Sequence, residues 1–184
     1  MSLTPSNMLP LGTIAPSFQL INTTNNKLVS LDESKGIKGT LIMFICNHCP
    51  FVKHVNSELS RLAKDYISKS INCIAISSND IENYPEDAPE KMKKNALEND
   101  FIFPYLYDDT QDVARAYDAA CTPDFYLFDQ DLKLVYRGQL DNSRPGNEVP
   151  VTGDNLRQAI DLLLNNQNQN DIQKPSIGCN IKWK

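Results

Sequence analysis

Residues 40–45 read Thr-Leu-Ile-Met-Phe-Ile, an unbroken apolar run bounded by Gly39 and Cys46. Such a run suits a strand buried on both faces. Val52, Val55, Leu59, Leu62 and Tyr66 then recur at steps of three and four, which puts them on one face of a helix. Lys53, Ser57, Arg61 and Lys64 lie elsewhere on its surface. Residues 72–77 (NCIAIS) read as a second buried strand. Strand, helix, strand in this short compass is a βαβ unit, with parallel strands and a right-handed crossover.

The rest of the chain adds elements around that unit. Residues 12–20 form an opening segment with Pro16, and residues 27–31 a short alternating strand. Residues 88–99 predict a surface helix, with Pro89 near its start and acidic residues early. Residues 110–119 predict a short helix with Thr110 as N-cap and Val113, Ala114 and Tyr117 facing inward. Residues 124–128 and 132–139 flank a polar turn and predict an antiparallel hairpin. A last helix is expected over 152–164, with Leu156, Ile160 and Leu163 as its stripe. The polar stretch 165–171 reads as a linker before a tail that ends IGCNIKWK.

With 184 residues, 41 % hydrophobic and 22 % charged, the chain has the size and make-up of one globular domain. Its net charge of −5 and its lack of a basic run argue against nucleic acid or an anionic membrane as partner. No signal-like start and no membrane-spanning run is apparent, so the expected location is cytoplasmic. The cysteines, at 46, 49, 73, 121 and 179, are odd in number. In a reducing compartment a close pair points to catalysis, redox sensing or metal binding, not to a disulfide framework.

The close pair is Cys46-Asn47-His48-Cys49, followed by Pro50. At a helix start, cysteines three apart have Cα atoms roughly 5–6 Å from each other, within disulfide range. Unpartnered N–H groups and the helix dipole stabilise a thiolate there, at pKa values of roughly 3.5–7.5 against about 8.5 for an ordinary thiol. His48, Lys53 and His54 add positive potential. Pro50 fits the first helical position and makes Cys49 the N-cap. The usual dithiol reading makes Cys46 the nucleophile instead, and sequence leaves the choice open. Two other readings use the same residues: buried inert thiols, or a zinc or copper site drawing further ligands from His48, His54, Cys121 or Cys179.

The segments GTIAPSFQL, LIMFICNHCPF and AYDAACTPDFYLFDQDLKLVYRGQLD together resemble the thioredoxin-fold superfamily, in its redoxin or peroxiredoxin-like (AhpC/TSA-like) branch. The resemblance spans roughly residues 11 to 164. It implies an α/β thioredoxin-like fold, a central mixed β-sheet flanked by helices, with residues 1–10 as an N-terminal arm and 165–184 as linker and tail. It also implies that Thr122-Pro123 is the cis-proline loop beside the active-site sulfurs, where extended thiol substrates bind. Relative to the peroxiredoxin pattern, Cys49-Pro50 matches while Cys46 stands in the threonine position and Ile42 in that of the first proline. Ile45 stands where thioredoxins carry tryptophan.

The expected function is thiol–disulfide exchange with an antioxidant or redox role, in which Cys46 and Cys49 cycle between dithiol and disulfide, tuned by His48 and beside Thr122 and Pro123. The alternatives are a thiol peroxidase with Cys49 peroxidatic, and a copper- or zinc-binding protein. Cys121 is a candidate resolving thiol. Cys73 reads as inert packing, and Cys179 either folds back or pairs between chains. Arg137 either approaches the sulfurs as an anion or peroxide partner or is a solvated strand arginine, and Asp141 and Arg144 are a loop pair. Expected partners are protein or small-molecule thiols and disulfides, with peroxide as the alternative, no cofactor, no bound metal in the leading reading, and a monomer or homodimer.

Overall fold

The structure, a computed structural model, describes residues 3–170 and 172–184. In chain order the elements are β1 (Leu3–Pro5), β2 (Gln19–Asn22), β3 (Leu28–Ser30), α1 (Leu31–Ser34), β4 (Gly39–Phe44), α2 (Pro50–Ile67), β5 (Ile71–Ser77), α3 (Pro89–Glu98), β6 (Tyr105–Tyr107), α4 (Asp112–Ala116), β7 (Cys121–Thr122), β8 (Asp124–Asp129), β9 (Leu134–Gly138), α5 (Asp154–Leu164) and β10 (Ile177–Asn180). Seven strands form a mixed sheet in the order β3-β2-β6-β5-β4-β8-β9. The neighbours β4, β5 and β6 are parallel, and the other pairings are antiparallel. A second, three-stranded sheet runs β1-β10-β7.

The predicted βαβ unit is β4, α2 and β5. Every residue of β4 is buried because both faces of the strand are covered. Leu41 and Met43 face the core under α2 and α5, while Ile42 and Phe44 face the one closed by α4 and the opening segment. This is the period-two geometry of a strand expressed as two cores. Helix α2 buries Val52, Val55, Leu59, Leu62 and Tyr66, the stripe read from the sequence. It also buries Glu58, which holds Arg157 of α5 at 2.7 Å and so joins the two helices across the face. The hairpin β8–β9 pairs in the expected sense.

Four features differ from the sequence reading. The strand at 27–31 stops at Ser30, which caps the short helix α1 by accepting from the Glu33 N–H. The residue preceding α4 as its N-cap is Gln111, at φ 64°, while Thr110 Oγ1 only accepts a 3.3 Å bond from Asp112 N. Gln111 is recruited inward because its amide donates to Ser78 O and Lys182 O. Beyond the polar stretch, Gln173 Oε1 accepts from Arg137 N and Lys174 O from Gln139 N, so the chain tracks the β9 edge. It then enters the second sheet as β10, with β1 on one side and β7 on the other. Among the described residues no helix is long and apolar enough to cross a membrane.

Candidate functional site

Cys46 lies two residues past β4, where Ile45 N still donates to Ile76 O and carries the sheet pairing to the threshold of the loop. Cys49 is the N-cap of α2, with φ −66° and ψ 123°, and Pro50 opens the helix. The proline rejects helical angles for the residue before it and needs no N–H of its own. Both sulfurs are shut in: Cys46 is 1 % exposed and Cys49 0 %.

Three segments distant in sequence converge on them. The Thr122–Pro123 peptide bond is cis, as the resemblance implies. Thr122 Oγ1 lies 3.4 Å from Cys46 Sγ, and Cys49 Sγ lies 3.2 Å from Thr122 O. Cys179 Sγ lies 2.8 Å from Cys49 Sγ, brought there by β10, whose Cys179 stands opposite Thr122. Cys121 instead turns its thiol toward Pro123 O at 3.8 Å. Of the cysteines outside the CNHC segment, it is Cys179 that the fold sets against Cys49.

His48 is fixed by a residue the sequence did not single out. Asp87, fully buried in a short 3-10 turn at Pro85–Asp87, has its Oδ2 2.6 Å from His48 Nδ1. Its Oδ1 accepts the backbone N–H groups of Asn47 at 2.7 Å and His48 at 3.1 Å, and Asn79 Nδ2 donates to Oδ2. One carboxylate thereby sets both the path of the loop and the orientation of the imidazole. Tyr84 stacks on that ring at 5.4 Å between centroids, and His48 Nδ1 lies 3.9 Å from Cys46 Sγ. Asn79 Oδ1 accepts from Lys182 N, which links Asp87 to the tail. Only the prolines flanking Asp87 marked this segment in the sequence, and they say nothing of its target.

The two dithiol sulfurs are driven apart in acidity. Cys49 is lowered to about 5, chiefly by hydrogen bonding from the Cys46 thiol. Burial opposes this, and Cys179 and the N–H groups of Val52 and Cys179 reinforce it. Cys46 is pushed well up, first by burial, then by its role as donor to Cys49 and by the Asp87 charge. Burial, then donation to Cys49, raises Cys179 to about 12. The groups that favour a Cys49 thiolate are thus neighbouring thiols and N–H dipoles, not the cations expected from the sequence; His54 is taken up by Ser143 Oγ at 2.7 Å. Burial holds Asp87 less firmly ionised, but His48, Asn79 and Asn47 outweigh it and keep its carboxyl below the ordinary range.

Cys46, His48 and Asp87 each present one ligand atom within 4.8 Å of the others, a mixed donor set of the kind zinc accepts. His54 and Cys121 stand outside this group. Cys73 sits in β5 with its thiol raised to about 12 by burial. Arg137 fits neither of its sequence readings. It is 0 % exposed, donates to Asp118 O and Asp124 Oδ2, and lies 4.3 Å over the Tyr126 ring. Arg137 and Tyr126 are paired across β8 and β9, so the guanidinium is folded into the sheet instead of toward the sulfurs. Asp141 and Arg144 do not pair through their side chains. Asp141 gathers the N–H groups of Ser143, Thr152 and Gly153, and Arg144 donates to Asp141 O, Ser143 O and Gln139 Oε1.

A search of curated proteins returns no match. Among solved structures, an uncharacterized conserved protein of Geobacillus kaustophilus is 61 % identical, with a TM-score of 0.98 over 100 % of this chain and 97 % of that one. A hypothetical protein of Sinorhizobium meliloti 1021 is 44 % identical, with a TM-score of 0.96 over 98 % of each. The thioredoxin domain of a thiol-disulfide oxidoreductase from Bacteroides vulgatus shares the fold at 23 % identity and a TM-score of 0.60, over 71 % of this chain and 89 % of that one. Residues 11–137 match the AhpC/TSA family, a span that takes in the CNHC segment, α2 and the Thr122–Pro123 turn. The chain belongs to the AhpC/TSA family, in a redoxin form of the thioredoxin fold.

Proposed function

We propose that the protein is a thiol–disulfide oxidoreductase in which Cys49 is the nucleophile and Cys46 its resolving partner. The observation that carries this is the placement of the dithiol: Cys49 is the N-cap of α2 with Pro50 opening the helix, and the cis Thr122–Pro123 turn lies against both sulfurs. The acidities agree in direction, Cys49 lowered and Cys46 raised. In the reducing direction Cys49 Sγ attacks one sulfur of a substrate disulfide, and the other leaves as a thiolate that takes a proton. Cys46 then loses its proton and attacks Cys49 Sγ. The Cys46–Cys49 bond forms, the mixed disulfide breaks, and the second substrate sulfur departs with the electron pair. The substrate gains two electrons and the dithiol loses them. His48, anchored by Asp87, sets the potential around Cys46, and Thr122 lines the approach.

Peroxide reduction is the alternative. It is the weaker reading because Cys46 and Ile42 stand where the peroxiredoxin pattern has threonine and proline, and because Arg137, for which a peroxide role is one of two sequence readings, turns its Nη2 to Asp118 O and Asp124 Oδ2. The test is dithiothreitol-driven reduction of insulin disulfides, run beside hydrogen peroxide consumption. Insulin reduction that disappears in Cys49→Ser and in Cys46→Ser is the expected result. Rapid peroxide consumption that depends on Cys49, with insulin untouched, would replace this reading by the peroxidase.

A further inference from the structure

The Cys46–Cys49 pair does not account for the third thiol against it. Cys49 Sγ has Thr122 O at 3.2 Å and Cys179 Sγ at 2.8 Å. Cys179 is 2 % exposed and arrives on an ordered strand, not on a loose end. Its register is fixed on both sides, Cys179 facing Thr122 of β7 and Leu3 of β1. Ser176 Oγ donates to Pro123 O, Ile181 N to Ala120 O and Lys182 N to Asn79 Oδ1. The residue before Cys179 is Gly178, where a Cβ would lie 2.0 Å from Thr122 O. Only glycine lets the strand approach closely enough to hold that sulfur against Cys49.

We propose that Cys179 is a third redox thiol, and that β10 is a tethered substrate strand whose cysteine forms a disulfide with Cys49. The step is internal. Starting from the Cys46–Cys49 disulfide, Cys179 loses its proton to solvent and its sulfur attacks Cys49 Sγ. The Cys49–Cys179 bond forms and the Cys46–Cys49 bond breaks. The electron pair goes to Cys46 Sγ, which takes up a proton. Cys179 is oxidised and Cys46 reduced, and no outside oxidant is consumed. In the Cys49–Cys179 form the tail is stapled over the sulfurs, and in the dithiol form it is held only by hydrogen bonds and packing. The redox state of the site therefore controls whether an outside thiol or disulfide reaches it. This inference rests on the oxidoreductase reading for the role of Cys49, but its test does not.

Trypsin leaves Cys46 and Cys49 together in the peptide 39–53, so the assignment is made in Cys46→Ser. The reduced variant is treated with oxidised glutathione, quenched in acid, alkylated and digested. The expected result is loss of two alkylatable thiols and a disulfide-linked pair of peptides, 39–53 with the one carrying Cys179. Cys49 recovered as its glutathione adduct, or linked to Cys49 of a second chain, with Cys179 alkylated, would overturn the proposal. If Cys46→Ser fails to fold, partial oxidation of the wild-type protein serves instead. A 39–53 peptide joined to the Cys179 peptide supports the proposal, and an internal 46–49 disulfide alone at every stage of oxidation refutes it. Insulin reduction is scored separately. Its failure would remove exchange with outside substrates and leave the internal disulfide standing.

Discussion

Gly178→Ala isolates the contact on which access to the sulfurs depends. The added Cβ would meet Thr122 O at 2.0 Å and Thr122 C at 2.7 Å, both backbone atoms that no rotamer change moves aside. To reach ordinary contact near 3.4 Å, β10 and β7 must part by about 1.4 Å. The 3.1 Å bond from Ile181 N to Ala120 O does not survive such a shift. Losing about two backbone bonds costs roughly 1 kcal/mol each, and releasing the buried Ile181 side chain roughly 1.5–3 kcal/mol. With part of the strain relieved elsewhere, docking of the strand weakens by about 3–4 kcal/mol, or 10²–10³-fold in the open population. The assay is the rate of iodoacetamide labelling of Cys49 in the fully reduced protein, read by mass spectrometry. Gly178→Ala is expected to label about 10²–10³-fold faster. Gly146→Ala serves as control: it sits at φ +83° with nothing within 4 Å, so it strains the backbone without touching the tail. Wild-type labelling and wild-type melting in Gly178→Ala would refute the argument, because the strand would then not lie so close to Thr122.

Three further outcomes follow from the site and the sheet. The Cys49 pKa is about 5 in the folded protein, below the roughly 8.5 of an unfolded thiol, so its contribution to stability is full above about 8.5 and lost as pH falls toward 5. Between those limits the stability of the reduced protein over Cys49→Ser should grow by about 1.4 kcal/mol per pH unit upward in urea titrations. Asp87→Asn should cost about 1–3 kcal/mol by urea unfolding, through its bonds to His48 and the loop N–H groups. It should also let Cys46 ionise at lower pH, followed by ultraviolet thiolate absorbance. Arg137→Met should cost about 3–5 kcal/mol by leaving Asp124 buried without its cation, and Asp124→Asn in the same chain should recover part of the loss in the urea midpoint.

The parts of the fold legible in the sequence are those whose burial repeats. Helix α2 has five stripe positions and β4 six consecutive buried ones, so period alone identifies them. Strands β1, β7 and β10 have two to four residues, and their conformation comes from their partners. No local pattern marks them. The same holds at the site. Cys46, His48 and Cys49 were visible because the chemistry is contiguous, and Thr122-Pro123 through the family resemblance. Asp87 was not, since a single buried carboxylate among many acidic residues becomes meaningful only when folding sets its oxygens against Asn47 and His48. Arg137 was misread because a lone strand arginine is usually exposed, and only the pairing of β8 with β9 supplies the Asp124 and Tyr126 that let it be buried.

The second sheet also orders events in time. Cys46 and Cys49 lie within one loop, whereas Cys49 and Cys179 are 130 positions apart. Closing a loop of that length costs more chain entropy than any contact within β4, α2 and β5, and contacts of such separation come late in folding. On loop entropy alone, the dithiol is expected to meet on its helix before β10 docks. Until the tail arrives, Cys49 can meet Cys46 or an outside sulfur, but not Cys179. The first disulfide available to a folding chain is the local one, and the long-range partner enters only when the last strand docks.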